Sequence, residues 1–208
     1  MVAEQIRKRG IRSHRVLDAM EHVPRHLFVP EELMARSYND EPLAIGDRQT
    51  ISQPYMVAAM AETLELEGHE RVLEVGAGSG YQAAVLAELS REVITIEART
   101  SLADAARNRL ASLGYGNIRV EIGDGTLGFP ELAPFDAILV AAAAPQAPPP
   151  LIEQLAEGGR MIIPVGASDR QVLMRIRKIG GRVAEEQLFA CQFVPLQGQY
   201  GWPATLSE

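Results

Sequence analysis

The sequence predicts an α/β protein with a mostly parallel, doubly wound sheet, an antiparallel hairpin toward its C-terminal end and a helical N-terminal extension. Three observations predict this. From residue 71 onward, apolar strand-like runs alternate with helical ones, as in a parallel sheet built from crossovers. The first strand, Arg71 to Val75, ends in Gly76-Ala77-Gly78-Ser79-Gly80, a glycine-dense turn that runs straight into a helical pattern. Beyond Pro164-Val165-Gly166 the chain alternates residue by residue on both sides of Gly180-Gly181, as a hairpin does.

Residues 3–22 carry apolar positions at helical spacing, and Gly10 splits them into two short helices. Val23-Pro24 and Val29-Pro30 close these segments, because a residue before proline avoids the helical region. Pro30-Glu31-Glu32-Leu33 has the proline and acidic residues of a helix start. Residues 38–52 show no period and are expected to be an ordered loop. Pro54 to Leu66 is expected to be a helix with Met56, Ala59, Met60, Thr63 and Leu64 on one face. Strands are expected at 71–75, 92–97, 118–123, 136–142 and 160–165, and helices at 81–90, 101–113 and 149–156. Ser101 and Asp104 are expected to cap the second of these helices, and a further strand is expected to run on to Leu196. The chain reads as one compact unit in two parts. Residues 1–66 form a helical subdomain with an active-site loop, and residues 67–208 form the nucleotide-binding domain.

The bulk composition suits one core: 208 residues, 47% of them hydrophobic and 23% charged, which argues against disorder. The net charge is −7 with Lys and Arg scattered, which weighs against a mainly electrostatic nucleic-acid binder. No nucleic-acid partner, no membrane association and a monomer or weak oligomer are expected. The single cysteine, Cys191, cannot form an internal disulfide, and Met1 to Arg12 is charged throughout. A cytoplasmic location is therefore expected.

The glycine spacing sharpens the ligand. It is Glu74-x-Gly76-x-Gly78-x-Gly80, not the Gly-x-Gly-x-x-Gly of a dinucleotide site. An acid two positions before the first glycine suits a ligand with a cationic amino-acid end. In this the segment resembles the class I S-adenosylmethionine methyltransferases, whose fold is Rossmann-like. Glu97, at the end of the next apolar strand and about 20 residues after Gly76, stands where an acid accepts from two ribose hydroxyls; a plain surface glutamate is the alternative. Asp124 and Gly125 follow the third strand. In methyltransferases an acid here meets the adenine amino group, while a simple Asp-Gly turn explains the pair equally well. Glu74 is expected near the methionine end, with loop amides or the ligand ammonium as its partners.

The acceptor is harder to read. After the fourth strand come Ala141-Ala142-Ala143-Ala144-Pro145, without the Asn/Asp-Pro-Pro-aromatic sequence of amino-group methylases and without clustered acids for a metal. His22 and His26 are separated by Pro24 and are not expected to share a helical face, so no metal is expected. An acceptor that needs neither base nor metal is a carboxylate, ionised near neutral pH with a pKa of about 4. Gln49-Thr50-Ile51-Ser52-Gln53-Pro54-Tyr55-Met56 offers the amides and the Ser52 hydroxyl as donors to such an anion. Ser52 is equally readable as the N-cap of the helix that follows.

The whole chain resembles the protein-L-isoaspartate O-methyltransferase family. The resemblance runs through Val23-Pro24-Arg25, Phe28-Val29-Pro30, Gln49 to Ala58, Glu74 to Gln82, Gly123-Asp124-Gly125, Pro164-Val165-Gly166 and Phe193-Val194-Pro195-Leu196. It implies methyl transfer from S-adenosyl-L-methionine, leaving S-adenosyl-L-homocysteine, to the α-carboxylate of L-isoaspartyl residues in damaged proteins and peptides. It implies Ser52 as the active-site residue. Glu74, Gly76, Gly78, Gly80, Glu97, Asp124 and Gly125 are implied as cofactor contacts, and Ile51, Gln53, Val194, Leu196 and Gln197 as substrate contacts beside Ser52. Arg48 departs from the glycine common in relatives.

Overall fold

The computed structural model describes residues 1–167 and 169–203. Its centre is a seven-stranded sheet: β3 (Arg71–Val75), β4 (Glu92–Glu97), β5 (Ile118–Ile122), β6 (Phe135–Val140), β7 (Leu155–Ala167), β8 (Arg170–Ile179) and β9 (Arg182–Cys191). Their order across the sheet is β5-β4-β3-β6-β7-β8-β9. The pairs from β5 to β7 are parallel, and β7-β8-β9 is an antiparallel meander. The chain leaves β3 toward one edge and returns to place β6 on the other side, so a crevice opens at the carboxyl ends of β3 and β6.

The residue alternation of each strand feeds two cores. Val72, Val93, Ala137, Leu139 and Ile162 face one side. Leu73, Val75, Ile94, Ile138, Val140 and Ile163 face the other. The first side is covered by α1 (His14–His22), α2 (Pro54–Thr63), α3 (Tyr81–Leu89) and α4 (Thr100–Ser112), and α5 (Pro149–Glu153) packs on the second. Val2, Ile6, Met20 and Phe28 belong to the same apolar cluster as the sheet residues Val72 and Leu139. The N-terminal segment is thus built into the core. Each such apolar side chain contributes roughly 1.5–3 kcal/mol by leaving water.

Several expectations are corrected. Residues 38–52 contain a two-stranded antiparallel hairpin, β1 (Leu43–Gly46) and β2 (Gln49–Ile51), turned by Asp47 and Arg48 at φ 48° and 57°. The first expected helix is one π turn, Val2–Ile6, and one 3-10 turn, Arg7–Arg9, ended by Gly10 at φ 105°. Glu31–Arg36 is a 3-10 run, not an α-helix. The helix expected at 149–156 stops at Glu153 because Leu155 already pairs with Phe135. Ser101 does not cap α4. The N-cap is Arg99, Ser101 Oγ bonds Asp47, and Asp104 pairs with Arg107. Strand β9 ends at Cys191, half-buried, and the next residues pair only through single bridges, Pro195 with Ala143 and Gln197 with Trp202.

Candidate active site at the carboxyl edge of the sheet

The glycine turn leaves β3 with the Gly76 N–H donating to the Ile96 carbonyl at 2.8 Å, which ties it to β4. Gly80, at φ 87°, ends the turn as the N-cap of α3. A Cβ there would lie 3.2 Å from Leu110, so the turn needs glycine both for its backbone and for close packing of α4. At Gly125 the constraint is purely spatial, since a Cβ would stand 2.4 Å from Val75 Cγ1.

A cavity opens above this turn. Its lining includes Gly76, Gly78, Glu97 and Gly125 at the strand ends, Ile51 and Ser52 from the β2–α2 connection, and Val194, Leu196 and Gln197 as a C-terminal wall. Segment 194–197 is anchored by Ala143, whose N–H donates to the Val194 carbonyl at 2.8 Å and whose carbonyl accepts from Leu196 N at the same distance. Arg99 Nη2 donates to Gln197 Oε1 at 3.3 Å. Ser52 also borders a second cleft of about 670 Å³, shared with Arg9, Gln53, Tyr55, Met56 and Phe193. Thr50, Ser52, Ala141 and Val194 line both spaces.

Ser52 is not a helix cap. The N-cap of α2 is Gln53 without a side-chain bond, and Asp40 Oδ1 instead accepts from Tyr55 N at 3.1 Å. Arg9 pairs with the same carboxylate and lies 3.5 Å over the Tyr55 ring. Asp40 therefore satisfies the first turn of α2 and leaves the Ser52 hydroxyl with no hydrogen-bond partner among the described residues.

The three acids differ. Glu97 is nearly buried, accepts from Gly78 N at 2.9 Å through Oε2 and from Arg99 N at 3.0 Å through Oε1, and lines the cavity. Each oxygen retains a second acceptor site. Asp124 lies outside the cavity wall. Its Oδ1 accepts from Thr126 N and Oγ1 at 2.9 and 2.6 Å, and its Oδ2 from Gln199 N at 2.7 Å. The Asp-Gly pair thus caps a turn and fastens residues 198–200, and only Gly125 reaches the cavity. Glu74 is also off the wall. It is fully buried between Thr95 and Leu139 on the neighbouring strands, Oε2 accepts from Thr95 Oγ1, and Oε1 has no partner. Burial pushes its carboxyl up to about 8, Glu97 adds to the rise and Thr95 opposes it, so the group is a neutral acid near pH 7. The expected loop amides do not reach it: two residues before the turn the side chain still stands on the sheet face it shares with Val72 and Leu139.

Other residues at the site escaped sequence reasoning. Val57, Tyr81 and Gln82 line the cavity. Arg25, fully buried, donates from Nε to the Ser37 carbonyl at 2.7 Å and sits 4.8 Å over the Tyr81 ring, while Phe28 meets that ring edge-on. The N-terminal segment thereby fixes the first residue of α3. Burial pushes the Tyr81 phenol up to about 12, which keeps it neutral. Arg25 sits in Val23-Pro24-Arg25, but nothing in that string shows that the guanidinium is buried. His26 Nδ1 and the Tyr38 hydroxyl share a hydrogen bond at 2.6 Å. Among the described residues no cluster of three metal-ligating side chains occurs, and no helix is long and apolar enough to cross a membrane.

The sequence matches the family described as Protein-L-isoaspartate(D-aspartate) O-methyltransferase over residues 1–201. It is 54% identical over 205 residues to a protein-L-isoaspartate O-methyltransferase of Syntrophus aciditrophicus, covering 97% of this chain and 94% of the relative. Identity to the protein of the same name from Methanoculleus marisnigri is 54% over 207 residues, covering 100% and 94%. A solved protein-L-isoaspartate O-methyltransferase superposes with a TM-score of 0.86 at 30% identity, over 94% of this chain and 64% of that longer one. A Plasmodium falciparum protein described by the same enzyme name, solved in complex with S-adenosyl-L-homocysteine, superposes with a TM-score of 0.82 at 29% identity, over 94% and 96%. On sequence and on fold alike, the chain belongs to the protein-L-isoaspartate(D-aspartate) O-methyltransferase family.

Proposed function

We propose that the protein methylates the α-carboxylate of L-isoaspartyl residues in damaged proteins and peptides, using S-adenosylmethionine as donor. The observation that carries this reading is the unpartnered Ser52 hydroxyl at the junction of the two spaces. The cavity fits the donor. Glu97 retains acceptor sites for two ribose hydroxyls, and Gly76, Gly78 and Gly125 let a ligand approach the backbone. Bound there, S-adenosylmethionine supplies an electrophilic methyl carbon on a sulfonium whose leaving group is a neutral thioether.

The protein's own residues bind and align. Ser52 Oγ–H donates to one oxygen of the acceptor carboxylate, leaving the other oxygen free to attack. Ile51, Gln53 and segment 194–197 hold the acceptor backbone, and the apolar walls exclude water. A carboxylate arrives ionised, so no residue has to remove a proton. The methyl ester then activates its carbonyl toward the adjoining backbone nitrogen, which displaces methanol and closes a succinimide. Hydrolysis of that ring returns part of the material to aspartate without the enzyme.

Residues 1–66 serve the acceptor and 67–208 the donor, a division supported by Ser52 and Gln53 on one side and Gly76, Glu97 and Gly125 on the other. Glu74 and Asp124 support the donor site from behind its wall. The net charge of −7 and the lone free thiol support a protein substrate, rather than nucleic acid or membrane, in a reducing cytoplasm. Paired peptides differing only in isoaspartyl against aspartyl test the reading. Methylation of the isoaspartyl member alone is expected; equal methylation of both, or of neither, refutes it.

A further inference from the structure

Among the buried side-chain atoms of the described residues that lack any hydrogen-bond partner, Gln82 Nε2 belongs to the one residue that also lines the donor cavity. Gln82 is 9% exposed and occupies the second position of α3, a nine-residue helix that starts at the glycine turn. Gly80 provides no side-chain cap, and the Gln82 and Ala83 N–H groups have no acceptor among the described residues. The Gln82 side-chain NH2 and the backbone N–H groups of residues 82 and 83 are thus left open at the positive end of a helix dipole. A buried amide without a partner costs stability, so its presence beside a cavity calls for a ligand acceptor.

We propose that Gln82, with the free N–H groups of the first turn of α3, binds the carboxylate at the amino-acid end of the methyl donor. This rests on the donor reading above. Two observations select that carboxylate over the acceptor's. Gln82 borders the donor cavity and not the second cleft, whereas Ser52 borders both. Glu97 lines the cavity from the end of β4 and Gln82 from the start of α3, so with the ribose on Glu97, as the donor reading has it, the amino-acid end extends across the β3 turn toward α3.

Calorimetric binding of two ligands to the full chain tests this without turnover. S-adenosylhomocysteine carries the carboxylate and 5′-methylthioadenosine lacks the whole amino-acid end. Gln82→Leu is expected to weaken S-adenosylhomocysteine by about ten-fold or more, as for a lost hydrogen bond to a charged group, and to leave methylthioadenosine within about two-fold. The ligand-free variant is expected to unfold no earlier than wild type, because leucine removes the unpartnered amide. Equal losses for both ligands overturn the proposal. So does unchanged S-adenosylhomocysteine affinity with lowered ligand-free stability, which makes the amide a structural group of the core. Gln82→Glu serves as the second variant: it places a carboxylate against the ligand's own and must weaken S-adenosylhomocysteine selectively. If wild type binds methylthioadenosine and S-adenosylhomocysteine equally, the inference alone fails; if it binds neither, the donor reading fails.

Discussion

Replacing Glu74 by Gln isolates the cost of burying an acid beneath the glycine turn. The folded carboxyl is raised to about 8 from its ordinary 4.5, chiefly by burial. Between those values the unfolded chain has released a proton that the folded chain still holds. The contribution of Glu74 to stability is therefore fully present below pH 4.5 and is lost progressively as pH rises to about 8. Each pH unit inside that window costs about 1.4 kcal/mol, or about 4 kcal/mol between pH 5 and 8. Glutamine has no proton to release and still accepts from Thr95 Oγ1. Denaturant unfolding of both proteins without ligand, at pH 5, 6.5 and 8, reads the difference. The glutamine variant should gain on wild type by about 4 kcal/mol across the series, roughly 8–16 °C in Tm for a chain of this size. Other titrating groups are common to both proteins and cancel. A difference that stays constant with pH refutes the assignment of a neutral buried acid.

Ser52→Ala should lower kcat/KM for an isoaspartyl peptide by about 10- to 100-fold, the worth of a hydrogen bond to a charged acceptor, while S-adenosylhomocysteine affinity stays within about two-fold. A matching fall in both would return Ser52 to a structural role. Arg48→Gly should stabilise the ligand-free protein by about 0.5–1 kcal/mol, because a left-handed non-glycine residue costs about 1–2 kcal/mol and glycine's extra unfolded freedom offsets part of the gain. Denaturant midpoints check this, and a loss of stability contradicts the strain.

Long apolar runs made β3, β4 and β6 legible, because a strand buried on both faces has few other readings. The glycine turn was legible for the same reason: its residues are dictated by backbone and packing. The β1–β2 hairpin was not, since its strands are four and three residues long and its turn uses Asp47-Arg48 where Asn-Gly would have signalled it. At the site, spacing located Glu97 beside Gly78, but spacing cannot tell which way a carboxylate faces. Glu74 lies within a strand paired on both sides, and Asp124 is held by Thr126 two residues on and by Gln199, 75 residues later in the chain. The capping ambiguity at Ser52 was resolved by Asp40, a residue 12 positions upstream that no local pattern connects to α2.

The wall made by residues 194–197 has a consequence for how the protein is born. Every strand of the sheet precedes that wall in the chain, and the fastening by Asp124 and Ala143 draws it back across the carboxyl ends only afterwards. During synthesis, a nascent chain with β9 just outside the ribosome owns a pairable sheet and an open trough in place of a cavity. Competence for the donor therefore waits on segment 194–197, and cofactor capture reports the fastening of that wall rather than folding of the sheet.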